Sequence, residues 1–424
     1  MRAATLPRTE MGRRPSRTRL APPVDLLVVA AAALLLTATW LGRFGPIAPL
    51  MIMASAAGLV ALKPRESLTG TIQCWPLLLV AALACLSALW STAPSVSLRY
   101  GAQLGITILA TVLMVSTLRP DHFVRAVFGS CTIILLLCLL SGRQGQSVGG
   151  PVLIGVLGSK NEMGGLTHLL ICSGLALLVD RAQPRWLRLA VLPAGAAALL
   201  VLLTGFSTGA VLSTMMFLGF FIVLAAARRM PPAIRVLLVI GLLAFAVPLW
   251  MVRADLATMW EDFVVNVLHK DIGLTGRDYL WAYADRLIAD RPVLGHGFRA
   301  TWQGGSAETI GLLRWAGLSS GGGFSFHDTY REWLVDFGFA GAGLIIAIML
   351  TGLARTSLRA ISPISSPAWL FLASIGIVFA IRAKVENLFG PFNSSTVIMV
   401  AVVGYGLIHL RQRAVRVRAA PTHG

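Results

Sequence analysis

The sequence predicts an all-α polytopic membrane protein of about twelve transmembrane helices with one large loop on the outer face. Three observations predict it. The 424 residues are 56% hydrophobic and only 13% charged, with a mean hydropathy of +0.77, a balance foreign to soluble domains. Apolar runs of membrane-crossing length recur along the whole chain. One stretch, Arg253 to Asp336, breaks that pattern with charge, glycine and polar motifs over a length too great for a connector.

The apolar runs fall at roughly 24–42, 47–62, 74–90, 100–118, 122–141, 162–179, 187–204, 208–227, 233–251, 335–354, 367–381 and 392–410. They divide the chain into a basic tail (1–23), nine helices (24–251), the loop (252–334), three helices (335–410) and a second basic tail (411–424). The tails are rich in Arg, Pro and Ala and suit the anionic inner leaflet. Arginines ahead of the run Leu26–Leu41 resemble a signal peptide. The run leads straight into further spans with no processing site, however, and reads as an uncleaved first helix.

The net charge of +18 reads as topology rather than as a nucleic-acid footprint. With the N-terminus inside, the inner segments hold 22 Lys and Arg, against six in the short outer ones: Arg43, Arg99, Arg143, Lys160, Arg382 and Lys384. That bias puts both termini in the cytoplasm and the long loop outside. No internal repeat is visible, so the chain does not divide into the matched halves of many transporters. Cys74, Cys85, Cys131, Cys138 and Cys172 all lie in apolar runs without metal-ligand spacing and read as buried thiols.

Within the loop, Thr275 is a candidate N-cap, with Asp278 three positions on. Leu280, Trp281, Ala284, Leu287 and Ile288 recur at helical spacing with Asp285, Arg286 and Asp290 opposite, and Pro292 ends the pattern. An amphipathic helix lying on the membrane surface is the expectation. Arg277 falls in its first turn, where a cation opposes the helix dipole, which points to a task other than helix stability. Gly304, Gly305 and Gly321-Gly322-Gly323 bracket a segment that reads equally as plain loop or as a lid.

This topology gathers Arg99, Lys160, Arg277, His327, Arg382, Lys384 and Glu386 on one face. Charges at such positions are costly and are usually functional or paired. Convergent arginines suit a phosphate or diphosphate, whose oxygens the planar guanidinium fork matches. Alternatively, each snorkels or pairs with a local acid such as Glu386. His327 lies in a polar motif just ahead of a span, and its imidazole could take a proton from a sugar hydroxyl. No HExxH, paired acidic motif, Walker loop or GxSxG elbow occurs, which leaves no case for metal catalysis, ATP hydrolysis or an acyl-serine mechanism. No cofactor is expected.

Four passages resemble the O-antigen ligase and polysaccharide polymerase superfamily, and its exopolysaccharide polymerase branch in particular. They are Leu89-Trp90-Ser91-Thr92-Ala93-Pro94 through Arg99; Gly158-Ser159-Lys160-Asn161-Glu162-Met163-Gly164; Thr275-Gly276-Arg277 through Trp281 with Pro292-Val293-Leu294-Gly295-His296-Gly297; and His327-Asp328-Thr329-Tyr330 with Glu332, Gly338 and Gly341. The resemblance implies a GT-C-like helical glycosyltransferase of the bacterial inner membrane. It would act without metal, on its periplasmic face, on polyprenyl-diphosphate-linked glycans. It implies His327 at the catalytic position and Arg99 and Arg277 at the diphosphate; Lys160, Asn161, Arg382, Lys384 and Glu386 are further candidate substrate contacts, from position on the outer face and from the local motif rather than from the resemblance. A donor glycan on its lipid, a glycan acceptor and membrane lipid are the implied partners, with a flippase and a chain-length regulator as candidates and no nucleic acid.

Two departures stand out. Family members often carry Ser-Lys/Arg-Thr near the seventh and eighth spans. Here the stretch reads Thr204-Gly205-Phe206-Ser207-Thr208, so Lys160 or Lys384 would have to supply the missing cation. Asp328 stands where an asparagine is common, and an acid there could raise the pKa of His327. The Ser159-Lys160-Asn161 passage favours a polymerase joining lipid-linked repeats. A ligase passing glycan to lipid A-core or a protein is the alternative within the family, and a transporter or flippase the alternative outside it.

Overall fold

The computed structural model describes residues 23–147, 150–205, 207–235, 277–318, 321 and 323–408. Its helices are α1 (Pro23–Trp40), α2 (Ile47–Leu62), α3 (Pro64–Gln73), α4 (Trp75–Leu86), α5 (Pro94–Thr117), α6 (Pro120–Ser141), α7 (Lys160–Val179), α8 (Arg185–Thr204), α9 (Thr208–Ala227), α10 (Arg277–Asp290), α11 (Ala300–Gln303), α12 (Ala307–Trp315), α13 (Thr329–Ala360), α14 (Pro367–Arg382) and α15 (Ser394–Leu407). The strands β1 (Gln144–Ser147) and β2 (Gly150–Leu153) form one antiparallel hairpin.

Eleven of the twelve apolar runs are helical, as their composition requires, and the run at 233–251 lies largely outside the described residues. Six helices, α5 to α9 and α13, are long and apolar enough to cross a bilayer. α1, α4, α14 and α15 are shorter apolar helices, and α2 meets α3 at a 110° bend. The chain is an all-α multi-pass membrane protein. α3 has no counterpart among the expected elements: its sequence is polar, and Pro64 at the first helical position sets its start.

Sequential helices pack side by side, and α13, α14 and α15 close back onto α4, α5, α7 and α9 around one apolar core. Several starts are fixed by side chains. Ser159 caps α7 by accepting from the Asn161 and Glu162 amides, Asp328 caps α13 and Asn393 caps α15.

The segment from Arg277 to His327 folds on a core of its own, built from Leu280, Tyr283, Ala284, Trp302, Leu312, Phe326 and Val335. α10 was expected to lie on lipid; instead its apolar face packs on α13 and the rest of this cluster. Trp281 donates its indole N–H to the Phe326 carbonyl, and Arg331 lies over the Trp281 ring while bridging Asp285 at 2.9 Å. The N-cap expected at Thr275 lies outside the described residues.

The loop boundary expected at 334/335 falls inside α13, which begins at Thr329 and breaks at Gly338 (φ 62°, ψ −171°). The break is where Pro292–Gly297 docks. Phe339 and Ala340 donate to the Pro292 and Val293 carbonyls, and His296 and Gly297 donate to the carbonyls of Val335 and Asp336. A Cβ on Gly338 would sit 2.3 Å from the Val293 carbonyl, so glycine is required both for its backbone angle and for the close approach. The same segment grips the turn before α5. Trp90 donates its indole N–H to the Leu294 carbonyl, the Thr92 amide donates to the His296 carbonyl, and a Cβ on Gly297 would strike Ser91.

Candidate active site

All three non-glycine residues with left-handed backbone among the described residues, Arg299 (φ 61°), His327 (φ 53°) and Phe392 (φ 54°), line one cavity. Such conformations cost roughly 1–3 kcal/mol each and cluster at functional sites. This cavity, of about 310 Å³, is walled by Tyr100 and Gln103 of α5, by Arg299, by Ser325 and His327, and by the segment Glu386 to Asn393. Five residues of that segment, Glu386, Asn387, Pro391, Phe392 and Asn393, also wall a second cavity of about 480 Å³ on their other side. The second cavity reaches Thr39 and Trp40 of α1, Asn161 and Glu162 of α7, Arg382 of α14 and Ser394 and Ser395 of α15.

The shared segment is held in place by Thr329, which is fully buried. Its amide donates to the Ala383 carbonyl at 2.7 Å, and its hydroxyl donates to the Glu386 carbonyl at 2.8 Å and accepts from the Leu388 amide at 2.9 Å. One residue thus ties the start of α13 to the wall and sets Glu386 opposite His327.

Glu386 is the electrostatic centre. Its carboxylate lies 3.7 Å from His327 Nδ1 and 3.4 Å from Arg277 Nη2, and Arg277 Nη1 donates to the Val385 carbonyl at 2.9 Å. Burial alone would raise the Glu386 pKa. The facing His327, with Arg277 and Arg382, outweighs burial and holds the carboxyl below its usual range, so the group is ionised at neutral pH.

His327, Glu386, Asn161 and Arg382 of the sequence-chosen residues line the cavities, and Arg277 stands one contact behind, on Glu386. The other three do not converge there. Arg99 is exposed in the second turn of α5 beside Tyr100, at 5.7 Å from its ring. Lys160 donates to the Ser147 hydroxyl of the hairpin at 2.9 Å. Lys384 pairs with Asp328 at 2.9 Å. Neither lysine takes the place of the base missing at 204–208. Asp328 is also not the acid that faces His327. It is fully buried, caps α13 and bonds Arg331 and Lys384, while Glu386 takes the position beside the imidazole.

Sequence reasoning missed Arg299. Its guanidinium lies over the Tyr100 ring at 5.8 Å, in the same cavity wall as His327, and it interacts electrostatically with the buried Glu332 and Asp336. A signal existed: Arg299 lies two residues after the Gly295-His296-Gly297 turn, whose docking on α13 places it. Asn387 and Asn393 were also missed, because single asparagines near a helix start carry no pattern.

These features define a multi-pass helical membrane protein with a strained polar site, walled by paired acids and bases, at one end of its bundle. A sequence model of the O-antigen ligase family matches residues 193–346, a stretch that holds Arg277, Arg299 and His327. The exopolysaccharide production protein ExoQ of Rhizobium meliloti (strain 1021) is 27% identical over 392 residues, covering 91% of this chain and 89% of that protein. Together these matches support a place in the O-antigen ligase and polysaccharide polymerase superfamily, on the exopolysaccharide branch, with a function of ligase or polymerase type.

Proposed function

We propose that this protein is a polymerase of the bacterial inner membrane, joining polyprenyl-diphosphate-linked oligosaccharide repeats on the periplasmic face, with both termini in the cytoplasm. The observation that carries the reading is His327 facing an ionised Glu386 in a strained cavity that shares a wall with a second, polar one holding Arg382. With Nδ1 turned to Glu386, Nε2 is the nitrogen free to take the proton of the acceptor hydroxyl. The hydroxyl oxygen attacks the anomeric carbon, the bond from that carbon to the diphosphate oxygen breaks, and the polyprenyl diphosphate leaves with the electron pair. Attack opposite the leaving group inverts the anomeric centre. Glu386 stabilises the imidazolium, and no metal is needed for the proton transfer.

The second cavity fits the diphosphate: Arg382 supplies charge, and the N-termini of α7 and α15 open onto it. Arg277 contributes through Glu386, and Arg99, exposed on α5 next to Tyr100 of the first cavity's wall, would meet the diphosphate only as the substrate enters. The exopolysaccharide name of ExoQ supports a polymer product, whereas the ligase description of the matched family favours transfer of finished glycan. A flippase supplying the donor and a chain-length regulator are proposed partners.

In cells that make the polymer, His327→Ala should abolish it while single lipid-linked repeats accumulate. Accumulation of full-length lipid-linked chains would identify a ligase, and normal polymer would reject the role of His327.

A further inference from the structure

A third cavity, of about 590 Å³, lies on the loop away from the reacting groups, between α10 and α12. That volume falls within the roughly 300–1,000 Å³ of small-molecule sites. Tyr279 and Trp315 line it and remain 58% and 57% exposed. Their ring centroids are 5.9 Å apart with the planes tilted 50°, so neither ring covers the other's face. Arg286 and Glu308, both exposed, complete the wall, with Arg286 over the buried ring of Tyr283 at 5.6 Å.

Tyr279 and Trp315 set two uncovered aromatic rings side by side on short amphipathic helices of the loop rather than on an apolar span. The lining carries more polarity than an acyl-chain surface and as much acid as base, unlike an anion site. An acid and a base share the wall with the aromatic rings, and the apolar faces of α10 and α12 are turned inward into the loop's own core. Apolar ring faces flanked by a donor fork and a carboxylate match a pyranose, which presents C–H groups on its faces and hydroxyls at its rim. The floor connects to the reaction site: Tyr283 packs on Phe326 at 6.3 Å, and Phe326 is the residue before His327.

We propose that this cavity is a saccharide subsite that holds the growing glycan beyond its reacting end, with Tyr279 and Trp315 as platforms and Arg286 and Glu308 bonding sugar hydroxyls. It rests on the glycan-transfer reading and extends it. The subsite holds the chain while the next repeat is joined, and so favours long polymer over short.

The test uses the full-length protein in lipid nanodiscs and, as probe, the oligosaccharide freed by mild acid from the lipid-linked repeats of the same cells. Titration should change Trp emission. Tyr279→Ala and Trp315→Ala should each weaken binding about tenfold, the equivalent of 1.4 kcal/mol, and shorten the polymer made in cells. Glu308→Gln, isosteric and at an exposed position, should weaken binding without unfolding. His327→Ala should bind the probe as the wild type does while making no polymer, so that failure of the catalytic reading and failure of this one separate. Binding untouched by all three cavity substitutions would overturn the proposal. So would Trp315 emission that is quenched by brominated lipid and unmoved by the oligosaccharide, the outcome for rings seated in the membrane interface.

Discussion

The two ends of the helical bundle use their charges in opposite ways. At one end, cations fasten helices. Lys63 pairs with Asp25 at 2.8 Å and donates to the Thr117 carbonyl, Arg188 donates to the Leu178 carbonyl, Arg228 to the carbonyls of Ala360 and Ser366, and Arg359 to those of Tyr405 and Ile408. All but Ser366, which precedes α14, lie in the last turn or at the cap of a helix, where carbonyls lack intrahelical partners, so each cation closes a joint. At the other end, Glu386 is shared between His327 and Arg277 across two cavities, and Arg299 and Arg382 stand in the walls. The lesson is that a count of basic residues cannot separate fastening from function, whereas the surroundings can: mostly carbonyls at helix ends on one side, and on the other a carboxylate shared between His327 and Arg277 beside open cavities.

Substitutions sharpen that contrast. The largest expected effect is on rate at the working end. Glu386→Gln keeps the shape but removes the charge facing His327, and transfer should fall by about 10²–10⁴, the share that general acid–base catalysis supplies. Its thermal unfolding should change far less, and a collapse of the fold instead would place Glu386 among the fastening charges.

At the opposite end, Arg228→Ala strips two partly buried carbonyls of a charged donor and should cost about 1.5–3 kcal/mol of stability. Activity per folded molecule should be kept, which thermal melts and assays of the purified protein can separate. A smaller effect is expected from Lys384→Ala. The lysine is 58% exposed and Asp328 retains Arg331, so both stability and rate should move little, by about 1 kcal/mol at most. A large loss of rate would return Lys384 to the site.

The smallest effect is on pH. A carboxyl whose folded pKa lies below its unfolded value of about 4.3 adds stability above that value and loses it as pH falls through the folded pKa. The stability difference between wild type and Glu386→Gln should therefore be constant at neutral pH and close only in acid. A difference that widened in acid would contradict the assigned ionisation.

The helices were legible because hydropathy alone dictates them: eleven apolar runs became helices with ends moved by a few residues. The bend into α3 was not, since its ten residues are polar and short. His327, Glu386, Asn161 and Arg382, singled out from motif and topology together, are the ones that line the two cavities. Arg99, Lys160 and Lys384 share charge and expected side with them, yet side-chain direction depends on partners that no linear pattern contains, such as Ser147 for Lys160 and Asp328 for Lys384. The glycines were legible as motif members, but their reason was not. Gly338 and Gly297 are needed because three chain segments distant in sequence meet there at backbone contact.

The central claim is glycosidic bond formation at the His327–Glu386 cavity. Purified protein reconstituted in nanodiscs with lipid-linked repeats, and nothing else, tests it most directly. The prediction is lipid-linked dimers and longer chains with one polyprenyl diphosphate released per bond, lost in His327→Ala. Repeats that stay single with wild-type protein, or bonds that form equally with His327→Ala, would contradict it.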